Sequence, residues 1–144
     1  MSWIPHWMMA IGLWLLIKRA KPRWRNDVAP LLQMWPMKHG EVWWVEFDPS
    51  VGSEIRKTHP AVIISNDAAN RNLARVVVLP LTSSTGRQYP GEALVTLGGQ
   101  NSKAMADQIM AADKVRLKSQ LGILSKADML AVEDAIRVHL AMPR

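Results

Sequence analysis

The sequence lacks several features on which other kinds of active site depend. It has no cysteine, which excludes a disulfide framework, a thiolate zinc site and a cysteine nucleophile. Its four histidines show no helical i, i+4 spacing, so we expect neither a metal centre nor any other cofactor. A glycine-rich phosphate loop of the Walker type is missing as well, which leaves nucleotide hydrolysis without support. The chemistry that remains uses only titratable and hydroxyl side chains.

The sequence also has no apolar run long enough to cross a membrane. Trp7–Ile17 has eleven residues, whereas a membrane-spanning helix needs about 20. A secretory signal would carry its basic residues before the apolar run, but here they follow it, from Lys18 to Arg25. Two interpretations stay open, an interfacial helix with a basic tail or an extension from an upstream start site. We expect a cytoplasmic protein without a membrane partner.

The formal net charge of +6 is unevenly distributed along the chain. Residues 1–37 hold five of the 18 basic residues, one of the 12 acidic residues and five of the seven tryptophans. Residues 38–144 hold the other 13 basic and 11 acidic residues, so this part is only mildly basic and its charge is weak evidence for RNA binding. The change in composition predicts a poorly ordered N-terminal extension over 1–37 and a folded domain over 38–144.

A first strand is indicated by Val42–Phe47, a run that is dense in β-branched and aromatic residues. Alternation along this run places one uniformly apolar set of side chains on a single face, which should meet a core: Trp43, Val45 and Phe47. Both tryptophans of the run have two open roles, which are stacking on nucleic-acid bases or packing in a core or an interface.

Two further apolar runs, Ala61–Ile64 and Val76–Leu81, are typical of strands that are covered on both faces. Pro60 cannot donate to a sheet ladder, so we place it at the start of its strand. His59 precedes the first of these strands, and Thr82 follows the second. Polar side chains held at strand ends on a rigid sheet are where a functional site is expected.

The rest of the sequence predicts short strands followed by one terminal helix. Glu92–Leu97 alternates like an edge strand, and Ala104–Met110 is expected to return as another strand, which carries Asp107 and Gln108. Ser125 is positioned to cap the final helix. One apolar stripe runs along that helix: Met129, Val132, Ile136 and Leu140. This pattern favours a mainly β fold of the α+β class, a small SH3-like barrel with a C-terminal helix.

Six short motifs follow one another from residue 40 to residue 108. They are Gly40-Glu41-Val42-Trp43, Asp48-Pro49, Gly52-Ser53-Glu54, His59-Pro60-Ala61-Val62, Pro80-Leu81-Thr82-Ser83 and Ala106-Asp107-Gln108. Their order and spacing resemble the MazF/PemK-type toxins of bacterial type II toxin–antitoxin pairs. The resemblance covers residues 38–144 and implies the MazF/Kid/CcdB-like form of the barrel, a homodimer and a cognate antitoxin as partner. The sequence's own hint of a dimer surface is the apolar Val76–Leu81 run together with Trp44.

Toxins of this family are mRNA interferases, sequence-specific endoribonucleases that inhibit growth by cutting single-stranded mRNA without a metal ion. The resemblance implies the same reaction here, in which a ribose 2′-hydroxyl attacks the adjacent phosphate and a fragment with a 5′-hydroxyl leaves. That reaction needs proton transfer at both oxygens and stabilisation of the developing negative charge. The family normally has an arginine before the proline of its second strand and a Thr-Ser pair at the end of the next strand. Thr82 and Ser83 match the pair, but His59 occupies the arginine position.

This departure leaves two interpretations of His59 open. Either its imidazole transfers protons while Arg56 or Lys57 supplies positive charge, or the site is impaired, because histidine does not hold a permanent charge. Taken alone, a histidine before a proline is more often structural, and Thr82 is an ordinary strand-end hydroxyl. We take His59, Thr82 and Arg56 as the candidate catalytic residues.

Further residues of the same loops are candidates for contact with the RNA. Arg56 and Lys57 bring positive charge into the loop that begins at Asp48, and Arg87 does so in the loop after Thr82. The candidate RNA-binding residues are Ser53, Glu54, Lys57, Ser83, Arg87, Asp107 and Gln108. Some family members carry an arginine two residues before the acidic position; here that residue is Met105, so the role of Asp107 is not carried over from them.

The sequence also leaves non-cleaving alternatives open. The related CcdB-like toxins share the fold and poison DNA gyrase through their C-terminal helix, so a binding protein on the same scaffold is one alternative. A degenerate toxin that binds only RNA or antitoxin is the other. Both predict that the purified protein makes no cuts in RNA.

Overall fold

The computed structural model describes residues 37–144, which form seven strands and two α-helices. The strands are β1 (Glu41–Glu46), β2 (Thr58–Ile63), β3 (Arg75–Thr82), β4 (Glu92–Leu97), β5 (Gln100–Met105), β6 (Met110–Asp113) and β7 (Leu117–Ile123). The helices are α1 (Asp67–Asn72), between β2 and β3, and α2 (Lys126–His139), after β7. Met37 aside, the expectations for the N-terminal extension fall outside the described residues.

The strands form one antiparallel sheet with the order β4-β5-β3-β2-β1-β7, and β6 pairs with β3 beside β5. The sheet is curled so strongly that its two ends approach each other. A Cβ atom added at Gly122 of β7 would lie only 3.1 Å from Leu97 Cδ1 at the end of β4. The result is a curled half-barrel with a helix packed on β4, which confirms the predicted mainly β fold with a C-terminal helix.

Two apolar cores flank the sheet, one on each of its faces. The first lies under α2, where Met129 and Val132 pack with Val42 of β1. The second contains Trp43 and Val45 of β1, together with Met37, Phe47 and residues of β2, β3 and β7. The predicted face of Trp43, Val45 and Phe47 is confirmed, and Val42 is also buried because α2 covers the other face.

The apolar runs of β2 and β3 are buried on both faces, as predicted. Val76, Val78, Leu79 and Leu81 are all buried within the single chain. The Val76–Leu81 run therefore gives no hint of a dimer surface, because the two cores of one protomer already account for its composition.

The predicted strand over Ala104–Met110 is wrong, because the segment is interrupted by a 3₁₀ turn over Ala106–Gln108. Ala104 pairs with Leu81 and Met110 pairs with Val78. The segment therefore advances six residues while β3 advances only three. The turn takes up the three extra residues. Asp107 and Gln108 therefore lie on a turn between two strands and not on a strand.

Two smaller predictions also need correction. Pro60 is the third residue of β2 and lies opposite Trp44, at a point where β2 has not yet begun to pair with β3. A residue without an N–H is tolerated there because only one side of the strand carries a ladder. On α2, Ala135 is buried in the stripe, whereas Leu140 lies beyond the helix end and is 48% exposed.

Both helices begin at a side-chain cap, and the cap expected at Ser125 is confirmed. The Asn66 side chain accepts a hydrogen bond from the backbone N–H of Ala69 at 2.8 Å, and the Ser125 hydroxyl accepts one from Asp128 at 3.1 Å. These caps fix where the chain leaves the sheet after β2 and after β7.

Candidate active site

A pocket of about 570 Å³ opens where the β1–β2 pair, the end of β3 and the β4–β5 hairpin meet. Its lining combines polar side chains with an apolar wall. The lining residues are Trp44, Thr58, His59, Pro60, Leu81, Thr82, Ser83, Leu97, Gly98, Gln100, Ser102 and Leu121. Three sequence-predicted site residues, His59, Thr82 and Ser83, are thus brought into one concave surface.

Strand register explains why His59 and Thr82 meet. Strands β2 and β3 pair with Ala61 opposite Pro80, and this pairing ends there. Continuing the register by two residues sets His59 opposite Thr82, and both side chains fall on the same face of the sheet. Because β2 and β3 are no longer paired at that rung, the two strand ends leave an opening, and the pocket lies at this opening.

The Thr82 hydroxyl keeps its hydrogen available for a ligand. Its Oγ1 accepts a hydrogen bond from the backbone N–H of Ser84 at 3.2 Å, which turns the chain at the end of β3. A threonine hydroxyl that accepts one hydrogen bond can still donate its own. The strand-end role and the functional role therefore do not exclude each other at this residue.

Of the two tryptophans of β1, only Trp44 reaches the pocket. Trp43 is buried in the second core, and its Nε1 donates to the buried Glu41 carboxylate at 2.9 Å, so a base-stacking role for Trp43 is wrong. Trp44 lies on the opposite face of β1 and is 37% exposed. With Leu97 and Leu121 it forms the apolar wall of the pocket.

The charged loop between β1 and β2 lies outside the pocket lining and is folded on itself. The Glu54 carboxylate accepts from the backbone N–H of Val51 at 2.9 Å, and the Arg56 guanidinium donates to the Gly52 carbonyl at 2.8 Å. Lys57 adopts a positive φ of 64° immediately before β2. Ser53, Glu54, Arg56 and Lys57 are all exposed on this loop.

Gln108 ties this loop to the sheet. Its amide oxygen accepts the backbone N–H of Ile55 at 3.1 Å, across 53 residues of sequence. Asp107, beside it on the 3₁₀ turn, is exposed. The Arg87 guanidinium lies 5.3 Å from the centre of the Tyr89 ring in the β3–β4 loop. The pocket lining includes none of these predicted RNA-binding residues.

Sequence reasoning missed the contribution of the β4–β5 hairpin to the pocket. Gln100 and Ser102 lie two residues apart on β5, so their side chains share a face, and Gly98 forms the turn before them. The Gly-Gly turn and the alternation of β5 are signals that could have placed these residues on one face. Which face meets β2 and β3 depends on the curl of the sheet.

Neither a metal site nor a membrane-spanning helix is found in the described part of the chain. Between residues 37 and 144, histidine, aspartate and glutamate side chains nowhere gather in groups of three or more that could hold a metal ion. No helix over the same residues is long and apolar enough to span a membrane.

Comparison with known sequences places the chain among toxins of one family. Residues 38–140 match the family described as PemK-like, MazF-like toxin of type II toxin–antitoxin system. The chain is similar to Endoribonuclease MazF9 of Mycobacterium tuberculosis, with 37% identity over 113 residues that cover 72% of this chain and 96% of the relative. It is also similar to Endoribonuclease MazF of Staphylococcus epidermidis, with 29% identity over 111 residues, 74% of this chain and 92% of the relative.

Comparison with solved structures gives the same result for the fold. An endoribonuclease from a mycobacterial species aligns with a TM-score of 0.64 and 26% identity, over 76% of this chain and 96% of that chain. An endoribonuclease solved in complex with its cognate antitoxin, also mycobacterial, aligns with a TM-score of 0.63 and 27% identity, over 74% and 97%. The motifs, the curled sheet and these similarities agree: the chain belongs to the PemK-like, MazF-like toxin family of type II toxin–antitoxin systems.

Proposed function

We propose that this chain is an endoribonuclease toxin that cuts single-stranded mRNA in the pocket of His59 and Thr82. The observation that supports the proposal is that His59 and Thr82 line one pocket, at the point where the pairing of β2 and β3 ends. The similar proteins named above are endoribonucleases, and this chain spans nearly their whole length. The non-cleaving alternatives are therefore not favoured.

The proposed reaction is a transesterification within the RNA. The ribose 2′-oxygen forms a bond to the adjacent phosphorus, and the bond from phosphorus to the 5′-oxygen of the next nucleotide breaks. The proton of the 2′-hydroxyl passes to a base, and the leaving 5′-oxygen takes up a proton, so the products end in a cyclic phosphate and a 5′-hydroxyl. No metal ion enters any of these steps.

His59 is the group in the pocket that can carry out proton transfer. It belongs to the pocket lining, and histidine is the side chain that most often acts as a general acid or base in catalysis. A well-placed general acid or base contributes about 10²- to 10⁴-fold to a rate. Thr82 is proposed to donate its hydroxyl hydrogen to a non-bridging phosphate oxygen, with Ser83 beside it.

Positive charge for the phosphate is proposed to come from the β1–β2 loop. Arg56 donates to the Gly52 carbonyl, but a guanidinium has five N–H donors, so most of its hydrogen-bonding capacity is not used by this contact. Lys57 directly precedes β2 and is two residues from His59. Ser53, Glu54, Arg87, Asp107 and Gln108 remain proposed RNA contacts or supports of the loops that make them.

Two partners are proposed on the same scaffold. A cognate antitoxin is the first, which is supported by a similar endoribonuclease that was solved with its antitoxin. It is proposed to cover the pocket and the β1–β2 loop. A homodimer is proposed from family membership. Residues 38–144 are proposed as the toxin domain, since the family match extends over 38–140.

The test is cleavage of a long single-stranded RNA by the full chain in excess EDTA. We expect discrete cuts with 5′-hydroxyl ends, and loss of these cuts in His59→Ala and in Thr82→Ala. His139→Ala and Thr85→Ala are matched controls, because both residues are exposed and lie outside the pocket lining. Cuts that survive His59→Ala would move the chemistry to Arg56 and Thr82. A folded wild-type protein that makes no cuts would overturn the proposal.

A further inference from the structure

The part of the pocket wall that belongs to β5 carries two polar side chains, Gln100 and Ser102. Both are on one face of the strand, and Gln100 is exposed at its first position after the hairpin turn. Within the described residues, neither side chain makes a hydrogen bond to the protein. An amide and a hydroxyl with unused donors and acceptors therefore belong to the same pocket lining as His59 and Thr82.

The unused amide of Gln100 contrasts with the other side-chain amides of the described chain. Most of them form hydrogen bonds within the protein: Asn66, Asn70, Asn72, Gln88, Asn101 and Gln108. Over residues 37–144 only Gln100 and Gln120 form no such bond, and Gln120 lies on β7 outside the pocket lining. Gln100 is thus the free amide that the fold places in the pocket.

The apolar wall of the pocket includes an aromatic side chain on which a nucleotide base can stack. Trp44 offers an exposed indole, and the side chains of Leu97 and Leu121 stand beside it. Stacking of a base on an aromatic side chain contributes about 1–3 kcal/mol and tolerates any base. Stacking on the wall would therefore supply affinity, and a hydrogen-bonding side chain would supply discrimination between bases. The pocket contains a residue of each kind.

We propose that this pocket binds the base next to the scissile phosphate, that Trp44 stacks on it, and that Gln100 with Ser102 reads its edge as adenine. This inference rests on the proposed ribonuclease function of the same site. A glutamine amide presents one acceptor and one donor side by side, which matches N6 and N7 of adenine. Guanine presents two acceptors on that edge, so the same amide does not pair with both of them. Bases of unpaired RNA expose these edges to protein side chains.

The experiment maps every 5′ end that the full chain produces from a long single-stranded RNA of balanced composition. Wild type, Gln100→Ala, Gln100→Glu and the matched control Gln120→Ala are compared at equal extents of cleavage. We expect adenine enrichment at one fixed position beside the cut in wild type and Gln120→Ala. In Gln100→Ala the preference at that position should fall by about 5- to 150-fold, the range of one bidentate base contact, while preferences elsewhere persist.

Gln100→Glu makes the test more specific, because a carboxylate only accepts hydrogen bonds. It still accepts from N6 of adenine but has no donor for N7, so the adenine preference at that position should fall in this variant too. An unchanged cut-site profile in both Gln100 variants would overturn the inference. A wild-type preference for another base at the position that Gln100 controls would overturn the assignment of adenine.

Absence of cleavage by wild type would contradict the proposed function but would not by itself decide whether the pocket reads adenine. If wild type makes no cuts, binding of short RNAs that differ only by one adenine or uridine is measured by calorimetry. A preference for the adenine RNA that is lost in Gln100→Ala and kept in Gln120→Ala would support base reading without cleavage. Equal binding of both RNAs by wild type would overturn it.

Discussion

The Asp128 carboxylate of α2 accepts the backbone N–H of Thr96 on β4, with 3.1 Å between nitrogen and Oδ2. β4 is an outermost strand of the sheet, and an edge strand presents unpaired backbone groups that invite association with other chains. The helix that follows the sheet thus satisfies one of the outward N–H groups of the edge. The same bond fixes the first turn of α2 against the sheet.

Asp128→Ala should lower the free energy of unfolding by about 1.5–3 kcal/mol, the usual contribution of a hydrogen bond to a charged group. The matched control is Asp134→Ala on the same helix. Its carboxylate is exposed and lies 3.8 Å from the Arg144 guanidinium, a surface pair of little weight. Urea denaturation of the three proteins measures the difference. Equal midpoints for Asp128→Ala and Asp134→Ala would show that the edge contact does not stabilise the fold.

The helix N-terminus shows what local sequence could and could not predict. Ser125 followed by Asp128 is a local pattern, so the helix start was predictable and its N-cap is found as expected. In a capping box the carboxylate would reach back to the N–H of Ser125. It reaches Thr96 instead, 32 residues earlier, because packing of α2 on β4 brings that N–H within its range. Contacts of this kind depend on tertiary structure and leave no local pattern.

The pocket residues also fall into those that the sequence could predict and those that it could not. His59 and Thr82 were predictable because each ends an apolar strand and matches a family motif. Gln100 and Ser102 were not, because their place in the pocket follows from the curl that brings the β4–β5 hairpin towards β1 and β7. Gln108 was expected on a strand. Only the structure shows that its segment has three more residues than the part of β3 beside it, and that these residues form a turn.

The Lys103 ammonium joins the middle of the β3–β4 loop to the start of β4. It lies 3.0 Å from Glu92 Oε2 and donates to the Arg87 carbonyl at 3.0 Å, with side-chain exposures of 10% for Lys103 and 14% for Glu92. The backbone of Lys103 pairs with Thr82. This largely buried ion pair therefore supports the loop that begins at the proposed site.

Lys103→Met should destabilise the protein by about 3 kcal/mol, because it leaves the Glu92 carboxylate buried without its charge partner. It should also reduce cleavage, since the loop after Thr82 loses its anchor. The double variant Lys103→Met/Glu92→Leu should recover much of the stability, as replacing both charges removes the unpaired one. Lys126→Met, at an exposed helical position, is the control. A double variant no more stable than Lys103→Met would argue against this explanation.

His59→Arg separates the two interpretations of the departure from the family pattern. Arginine stays protonated in proteins, so it cannot take up the proton of the 2′-hydroxyl. If His59 transfers protons, His59→Arg should lower kcat by about 10²- to 10⁴-fold without changing the folded structure. Initial rates on a fluorogenic RNA, with His139→Arg as control, measure this. Activity that rises sharply in His59→Arg would instead mean that the natural site is impaired.

Lys114 is a buried cation far from the proposed chemistry. Its side chain is 2% exposed, and its ammonium donates to the carbonyl of Asn70 in α1. Burial lowers the pKa of Lys114 below its ordinary value of 10.5, and the neighbouring Asp113 carboxylate opposes that shift only in part. The charged form is therefore less favourable in the folded protein than in the unfolded chain.

The lowered pKa of Lys114 predicts a dependence of stability on alkaline pH. Between the folded pKa and 10.5, the unfolded chain binds more protons at Lys114 than the folded protein, so this residue makes stability rise with pH. Below that interval the cost of burying the charge is constant. The free energy of unfolding of wild type minus that of Lys114→Met should therefore increase as pH rises towards 10.5. Urea titrations at several pH values, with Lys126→Met as the exposed control, measure it; a difference that stays flat with pH would contradict the lowered pKa.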